Sequence, residues 1–197
     1  MLKRFLDVIF SVWGILIFSP LFIIIALSIK LTSKGPIFYK QKRVGLNGIE
    51  FSILKFRTMK IGSDKSGLLT VGNRDNRITT VGYYLRKFKL DELPQLFNVF
   101  CGEMSLVGPR PEVQKYVDLY SDEDLIVLSV KPGITDYASI YFRNENEILK
   151  NSDNPEMEYI NVIMPKKLNL NKKYIEEKNV ITDLKIIYNT IKVIIVK

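Results

Sequence analysis

The run from Val8 to Ile29 holds twenty-two residues without a charge, and as a helix it would be about 33 Å long at roughly 1.5 Å per residue. That length matches the hydrocarbon thickness of a bilayer, so a membrane-associated helix is the first constraint on any fold the chain adopts. No small-residue cleavage site follows, and the run exceeds the apolar core of a signal peptide, which predicts that the segment is retained. Two features complicate a simple crossing. Lys3 and Arg4 precede the run and Lys30, Lys34, Lys40, Lys42 and Arg43 follow it, whereas positive charge favours the cytoplasmic side at both ends. At its centre stand Ser19 and Pro20. Pro20 removes one intrahelical hydrogen bond, and the Ser19 hydroxyl can serve the backbone groups this frees. Two paths fit: a kinked helix that crosses, and a re-entrant hairpin, broken at Ser19-Pro20, that enters and leaves by one face.

The charge is placed unevenly. Of a net +8, all lies within residues 1–60, where ten Lys/Arg face only Asp7 and Glu50; the other 137 residues carry nineteen of each sign. Such a basic third suits anionic lipid, nucleic acid or a phosphorylated substrate. The basic residues flank an apolar segment and form no stripe with interleaved stacking aromatics, which argues against nucleic acid. There is no histidine, and Cys101 is the single cysteine. Imidazole chemistry, internal disulfides and zinc sites built on Cys and His are therefore excluded, and Cys101 by default packs. Chemistry must run on carboxylates, Lys, Arg, Tyr, hydroxyls or a metal held by oxygen.

Beyond Lys34 the pattern is that of one further domain. GPIFYKQKRVG and IEFSILKFRTM read as short extended elements. Residues 61–77, with Gly62, Asp64, Gly67, Gly72, Asn73, Asp75 and Asn76, read as a loop. The stretches 79–104 and 112–130 read as mostly helical, and KPGITDYASI as irregular or extended. The tail from Ile181 carries apolar residues at 184, 187, 188, 191, 194 and 195, which is helical spacing; it fits a core-packing terminal helix or an amphipathic helix in the membrane interface.

The densest chemistry is LRKFKLDELPQL, residues 85–96. Pro94 belongs in the first turn of a helix, so Asp91 and Glu92 fall at or just before an N-terminus, where anions are favoured. Lone acidic N-caps are ordinarily structural. Here Arg86, Lys87 and Lys89 are close in sequence, and Gly-Pro-Arg-Pro holds Arg110 in a rigid turn suited to phosphate. Lys55 and Arg57 alternate along KFRTM and would share one side of a strand, either at a phosphate or on a solvated face. Paired carboxylates among cations suit phosphoryl transfer, often with Mg²⁺ on carboxylate oxygen.

Ser19-Pro20, Lys55-Phe-Arg-Thr-Met59, Leu90-Asp-Glu-Leu-Pro-Gln-Leu-Phe-Asn-Val99, Gly102-Glu-Met-Ser-Leu-Val-Gly-Pro-Arg-Pro111 and Lys131-Pro-Gly-Ile-Thr135 stand in this order. The set resembles the bacterial sugar transferases, the monotopic polyprenyl-phosphate phosphoglycosyl transferases, over nearly the whole chain and in their minimal form, without the extra spanning helices of longer members. The resemblance implies an α/β, mostly helical, membrane-associated fold with an N-terminal re-entrant helix over 1–34 and a cytoplasmic-face catalytic domain over 35–197. It implies transfer of a sugar 1-phosphate from a UDP-sugar to undecaprenyl phosphate, releasing UMP, at the cytoplasmic face of the bacterial inner membrane with both termini cytoplasmic. It further implies that Asp91 is the nucleophile and a Mg²⁺ contact, that Glu92 is its acidic partner, and that Lys55, Arg57, Arg86 and Arg110 hold phosphates. Where many members continue Gly-Trp-Ala-Gln after Thr135, this chain has Asp136-Tyr-Ala-Ser139, so the sugar is left open, as are the pathway and the oligomeric state, a homodimer included. The rival reading is a membrane-anchored module that binds anionic lipid or a partner without turnover.

Overall fold

The computed structural model describes residues 2–63, 69, 72 and 75–195, with the side chain of Ile195 left out. The predicted loop residues Asp64, Gly67 and Asn73 lie outside the described residues.

The charge-free run forms helix α1, Leu2–Thr32, whose most apolar 18 residues have a mean hydropathy of 2.6. Helical structure persists through Ser19 and Pro20 where an interruption was expected. The reason is local: Pro20 has no N–H for the carbonyl of Leu16, and the Ser19 hydroxyl donates to that carbonyl instead (2.8 Å). Leu16, Ile17, Ile23, Ile24 and Leu27 of α1 are largely exposed.

Both ends of α1 are nevertheless tied to one body. At its start Lys3 donates to the Val107 carbonyl (3.0 Å), the Tyr174 hydroxyl (2.9 Å) and Asp183 (2.5 Å). One turn on, the buried Asp7 accepts from the Ser105 hydroxyl (2.9 Å) and the Leu106 amide (3.0 Å). At its end Ile25 and Ile29 pack with Phe56 and Leu85. There the Arg57 guanidinium donates to the carbonyls of Ser33 and Lys34, groups that a helix C-terminus leaves without partners.

Strands β1, Phe38–Val44, and β2, Glu50–Phe56, form an antiparallel hairpin with Tyr39 opposite Lys55. The alternation of β1 sends Lys40 and Lys42 to solvent and Tyr39, Gln41 and Arg43 inward. Helix α2, Thr80–Lys87, is capped by the Thr79 hydroxyl, which accepts from the Gly82 amide (3.0 Å). A 3-10 turn over Leu90–Glu92 leads to α3, Gln95–Cys101. Arg4 donates to the Val99 and Phe100 carbonyls near the end of α3 (2.5 and 2.8 Å). Asn98 ties α3 to β2: its Oδ1 accepts from the Leu54 amide (2.9 Å) and its Nδ2 donates to the Ser52 carbonyl (2.8 Å).

Strand β3, Ser105–Val107, pairs in parallel with β4, Gly133–Thr135. Their ends touch closely: a Cβ on Gly133 would stand 2.1 Å from the Gly108 nitrogen, so neither KPG nor GPRP tolerates a side chain there. Between them, 112–130 gives only α4, Gln114–Val117, and a 3-10 stretch, Asp124–Ser129, in place of the predicted longer helix. Asp124 accepts from the Ser121 hydroxyl (2.6 Å), a local bond that competes with helix. KPGITDYASI, expected to be irregular or extended, turns helical at α5, Tyr137–Tyr141, because Asp136 caps it by accepting from the Ser139 amide (2.6 Å).

Helices α6, Glu145–Lys150, and α7, Pro155–Glu158, follow. A π-helical stretch, Tyr159–Ile163, continues into α8, Met164–Glu177, where Pro165 lacks the N–H that a regular ladder would use. Tyr116, Phe142, Leu149, Tyr159 and Leu168 share the largest core cluster of this half. The tail is helical as predicted, α9, Val180–Ile195. Its buried residue is Ile186, packed with Val107 and Tyr174, while Leu184, Tyr188 and Ile191 of the apolar stripe are exposed, Leu184 and Ile191 on the wall of a cleft.

Candidate active site

A cleft of about 1140 Å³ opens between the hairpin with α2 and α3 on one side and α5, α8 and α9 on the other. It is lined by Lys55, Arg86, Asp91, Glu92 and Arg110, so the structure brings these predicted residues together. Phe10 and Phe18 of α1 line it as well. An apolar membrane-type wall and a charged centre therefore share one cavity.

Asp91 and Glu92 stand on the tight turn ahead of α3, entered through Lys89 in the left-handed conformation (φ 56°). The neighbouring carboxylates are provided for in opposite ways. Glu92 pairs with Lys55 (2.9 Å) and takes a two-pronged contact from the Arg110 guanidinium, one prong at 3.1 Å. Burial alone would raise its pKa, but Arg110 and Lys55 hold it well below the usual carboxylate range. Asp91 is only 7% exposed and accepts no hydrogen bond among the described residues. Burial and the adjacent Glu92 charge push its pKa up, against the pull of Lys55, Arg86 and Lys89. A desolvated carboxylate with no donor on its oxygens is a stronger nucleophile than a hydrated one, provided that it is ionised.

Lys55 reaches Glu92 because it faces inward from β2, and Asn98 fixes that strand to α3. Burial lowers the Lys55 pKa, and Glu92 opposes the shift. Arg110 is aimed by its backbone: its amide donates to Asp136 Oδ2 (3.2 Å), and the Gly133 amide donates to the carbonyl of Pro109 (3.0 Å). Asp136 is fully buried, and burial raises its pKa against the hydrogen bond from Ser139. The expected sharing of one side by Lys55 and Arg57 is limited to the cleft wall, which both line. Past the end of β2 the Arg57 Nη donors turn to the end of α1 rather than to Glu92. Sequence reasoning gave no positioning role to Asn98 or Asp136; the signal available for Asn98 was a helical Asn inside an otherwise apolar LFNVF.

No group of three or more acidic, Cys or His residues that could hold a metal occurs among the described residues. The donor set still fits Mg²⁺, which commonly takes one or two carboxylates and completes its shell with water and substrate phosphate. Asp91, buried and accepting no hydrogen bond among the described residues, is the carboxylate that has room for it.

The family model described as bacterial sugar transferase matches residues 1–197. The chain is 35% identical to a UDP-glucose:undecaprenyl-phosphate glucose-1-phosphate transferase of Escherichia coli K12, over 97% of this chain and 39% of the relative. It is 42% identical to a UDP-N-acetylgalactosamine-undecaprenyl-phosphate N-acetylgalactosaminephosphotransferase of Aeromonas hydrophila, over 71% of this chain and 34% of the relative. It is 39% identical to the exopolysaccharide production protein ExoY of Rhizobium meliloti, over 74% and 71%. The chain thus spans well under two thirds of the first two relatives and 71% of the third.

Proposed function

The chain belongs to the bacterial sugar transferase family, and we propose that it moves a sugar 1-phosphate from a UDP-sugar to undecaprenyl phosphate through a covalent intermediate on Asp91. The observation that carries this reading is the unpartnered, buried Asp91 in a cleft that cations and an apolar helix both line.

In the first half-reaction an Asp91 oxygen attacks the β-phosphorus of the donor, and the bond from that phosphorus to the bridging oxygen breaks. UMP leaves with the bridging oxygen and the electron pair. In the second, an oxygen of undecaprenyl phosphate attacks the same phosphorus, and the Asp91 carboxylate departs unchanged. Two displacements let a soluble donor and a lipid acceptor use the site in turn. Arg86, Lys55 and Arg110 neutralise phosphate charge, and Glu92 holds the last two in place. Mg²⁺ bound at Asp91 would supply further neutralisation of the transferring phosphoryl group. Phe10 and Phe18 offer the polyprenyl chain an apolar wall beside the charged centre.

The path of α1 is part of the proposal. A helix of 31 residues is about 46 Å long, yet its two ends contact the same body. This supports a re-entrant course, both ends on the cytoplasmic side of the inner membrane, over a straight crossing. The exposed stripe of α9, with Tyr188 off the cleft and Leu184 and Ile191 on its wall, would rest in the interface beside it.

The test is UMP release by the purified protein from a panel of UDP-sugars, with Mg²⁺ and undecaprenyl phosphate, beside Asp91→Asn. Release that requires lipid, metal and Asp91 is expected, and identifies the sugar. A folded protein that releases UMP from no donor, yet binds anionic vesicles equally well with Asp91→Ala, would overturn the reading in favour of a non-catalytic anchor.

A further inference from the structure

Four described residues carry buried side-chain polar atoms with no hydrogen-bond partner: Arg57, Gln95, Ser139 and Asn171. Gln95 lies off the cleft, and Arg57 lacks a partner only at Nε, its other nitrogens being engaged. Ser139 Oγ and Asn171 Oδ1 remain, and both residues line the cleft that contains Asp91. They come from α5 and α8, which pack on each other.

Burying such an atom without a partner costs about 1–3 kcal/mol, and mid-helix Asn brings no compensating propensity. Elsewhere this fold pairs a buried Asn fully: Asn98 bonds Leu54, Ser52 and Glu103. Asn171 is just as hidden, 6% exposed against 5%, and its carbonyl oxygen accepts from no protein group among the described residues. No protein group among the described residues accounts for the polarity of Asn171 at Oδ1.

The neighbourhood says which kind of ligand. The Ser139 amide donates to Asp136, whose other oxygen accepts from the Arg110 amide, so this wall begins beside the cation clasp. One turn before Asn171, Lys167 is neutralised by Glu145 (2.5 Å). The cleft thus changes along its length from the cationic surroundings of Asp91 to a wall where Lys167 is paired with Glu145 and where the lining residues Ser139 and Asn171 each keep a buried polar atom without a partner among the described residues.

We propose that Ser139 and Asn171 form the subsite for the uncharged end of the nucleotide-sugar donor, a ring that both donates and accepts hydrogen bonds. The subsite rests on the donor reading given above. A sugar ring and the uracil edge share that chemistry, and both belong to the same donor.

The test separates them without turnover. Calorimetric titration of the full-length Asp91→Asn protein with UMP and with UDP-glucose, UDP-galactose, UDP-N-acetylglucosamine and UDP-N-acetylgalactosamine gives the parent affinities. Ser139→Ala, which keeps the amide that caps α5, and Asn171→Leu are then made in that background, with thermal melting as the check on folding. We expect either change to weaken the preferred UDP-sugar about tenfold, one lost hydrogen bond. Loss confined to UDP-sugars, with UMP unaffected and epimers less well distinguished, assigns the subsite to the sugar; equal loss for UMP assigns it to the uridine. Folded variants that bind every donor and UMP as the parent does would overturn the subsite while leaving the transferase reading intact. A folded parent that binds no UDP-sugar would overturn the donor reading and the subsite together.

Discussion

Asp7 and Asp91 are hidden from solvent to the same degree, 6% and 7% exposed, and are provided for in opposite ways. At the root of α1, Asp7 accepts from Ser105 and Leu106, and the network continues one turn away through Lys3 to Tyr174 and Asp183. At the turn before α3, Asp91 accepts no hydrogen bond among the described residues, while the cations that could have served it are bonded to Glu92 or stand off as charge. A buried carboxylate whose acceptors are filled fixes geometry; one left bare in a preorganised field keeps its electrons for chemistry. The same fold contains both kinds, which lets each be perturbed against the other.

The largest effect should come from Asp91→Asn. UMP release is expected to fall at least about a thousandfold, while the melting temperature rises by about 2–4 °C, since removing an unpaired buried charge is worth about 1 kcal/mol in a chain of this size. A variant that lost activity and stability together would place Asp91 in the same class as Asp7. Asp7→Ala should do the converse. It leaves the Ser105 hydroxyl and Leu106 amide buried without an acceptor, costing about 2–3 kcal/mol, and should lower the melting temperature by roughly 5–10 °C with turnover per folded molecule retained.

Acid should separate the two functions of the proposed catalytic pair. The Asp91 pKa is raised, so its ionised form, which the proposed mechanism needs, is lost at a higher pH than for an ordinary carboxylate near 3.9. The Glu92 pKa is depressed, so its contribution to stability is complete above its unfolded value near 4.3 and disappears only as pH falls through the lower folded one. Activity should therefore fail before the fold does, the rate dropping about tenfold per pH unit below the Asp91 pKa. Coincident acid limbs in a rate profile and a melting profile would contradict that order. The smallest effect is expected at Lys42–Glu50, a hairpin ion pair 78% and 43% exposed at its side chains. Lys42→Ala should move the melting temperature by no more than about 2 °C, which sets the floor against which the Asp7 result is measured.

What was legible in the sequence was what local pattern encodes. The apolar run, the two strands, α2, α3 and the tail helix follow from periodicity, and Ser19 serves the carbonyl left by Pro20 as anticipated. The gathering of Lys55, Asp91, Glu92 and Arg110 was readable from residue type together with motif order. Asp7 was not: beside Lys3 and Arg4 it looks like one more flanking charge, and its donors lie about a hundred residues away. Ser139 and Asn171 were illegible as a pair for the same reason, since only the packing of α5 on α8 brings them to one wall. The exposure of the α9 stripe was equally hidden, because periodicity finds an apolar face without saying what covers it.

The Lys3–Asp183 pair has a consequence in time. Its partners are separated by 180 positions, and synthesis at about 5–20 residues per second leaves roughly 10–40 s between their appearances. During that interval α1 is already made while the acid that secures its root does not yet exist. On the proposed membrane placement a bilayer would hold the helix during that interval, and the rest of the protein would assemble onto an element already at its depth.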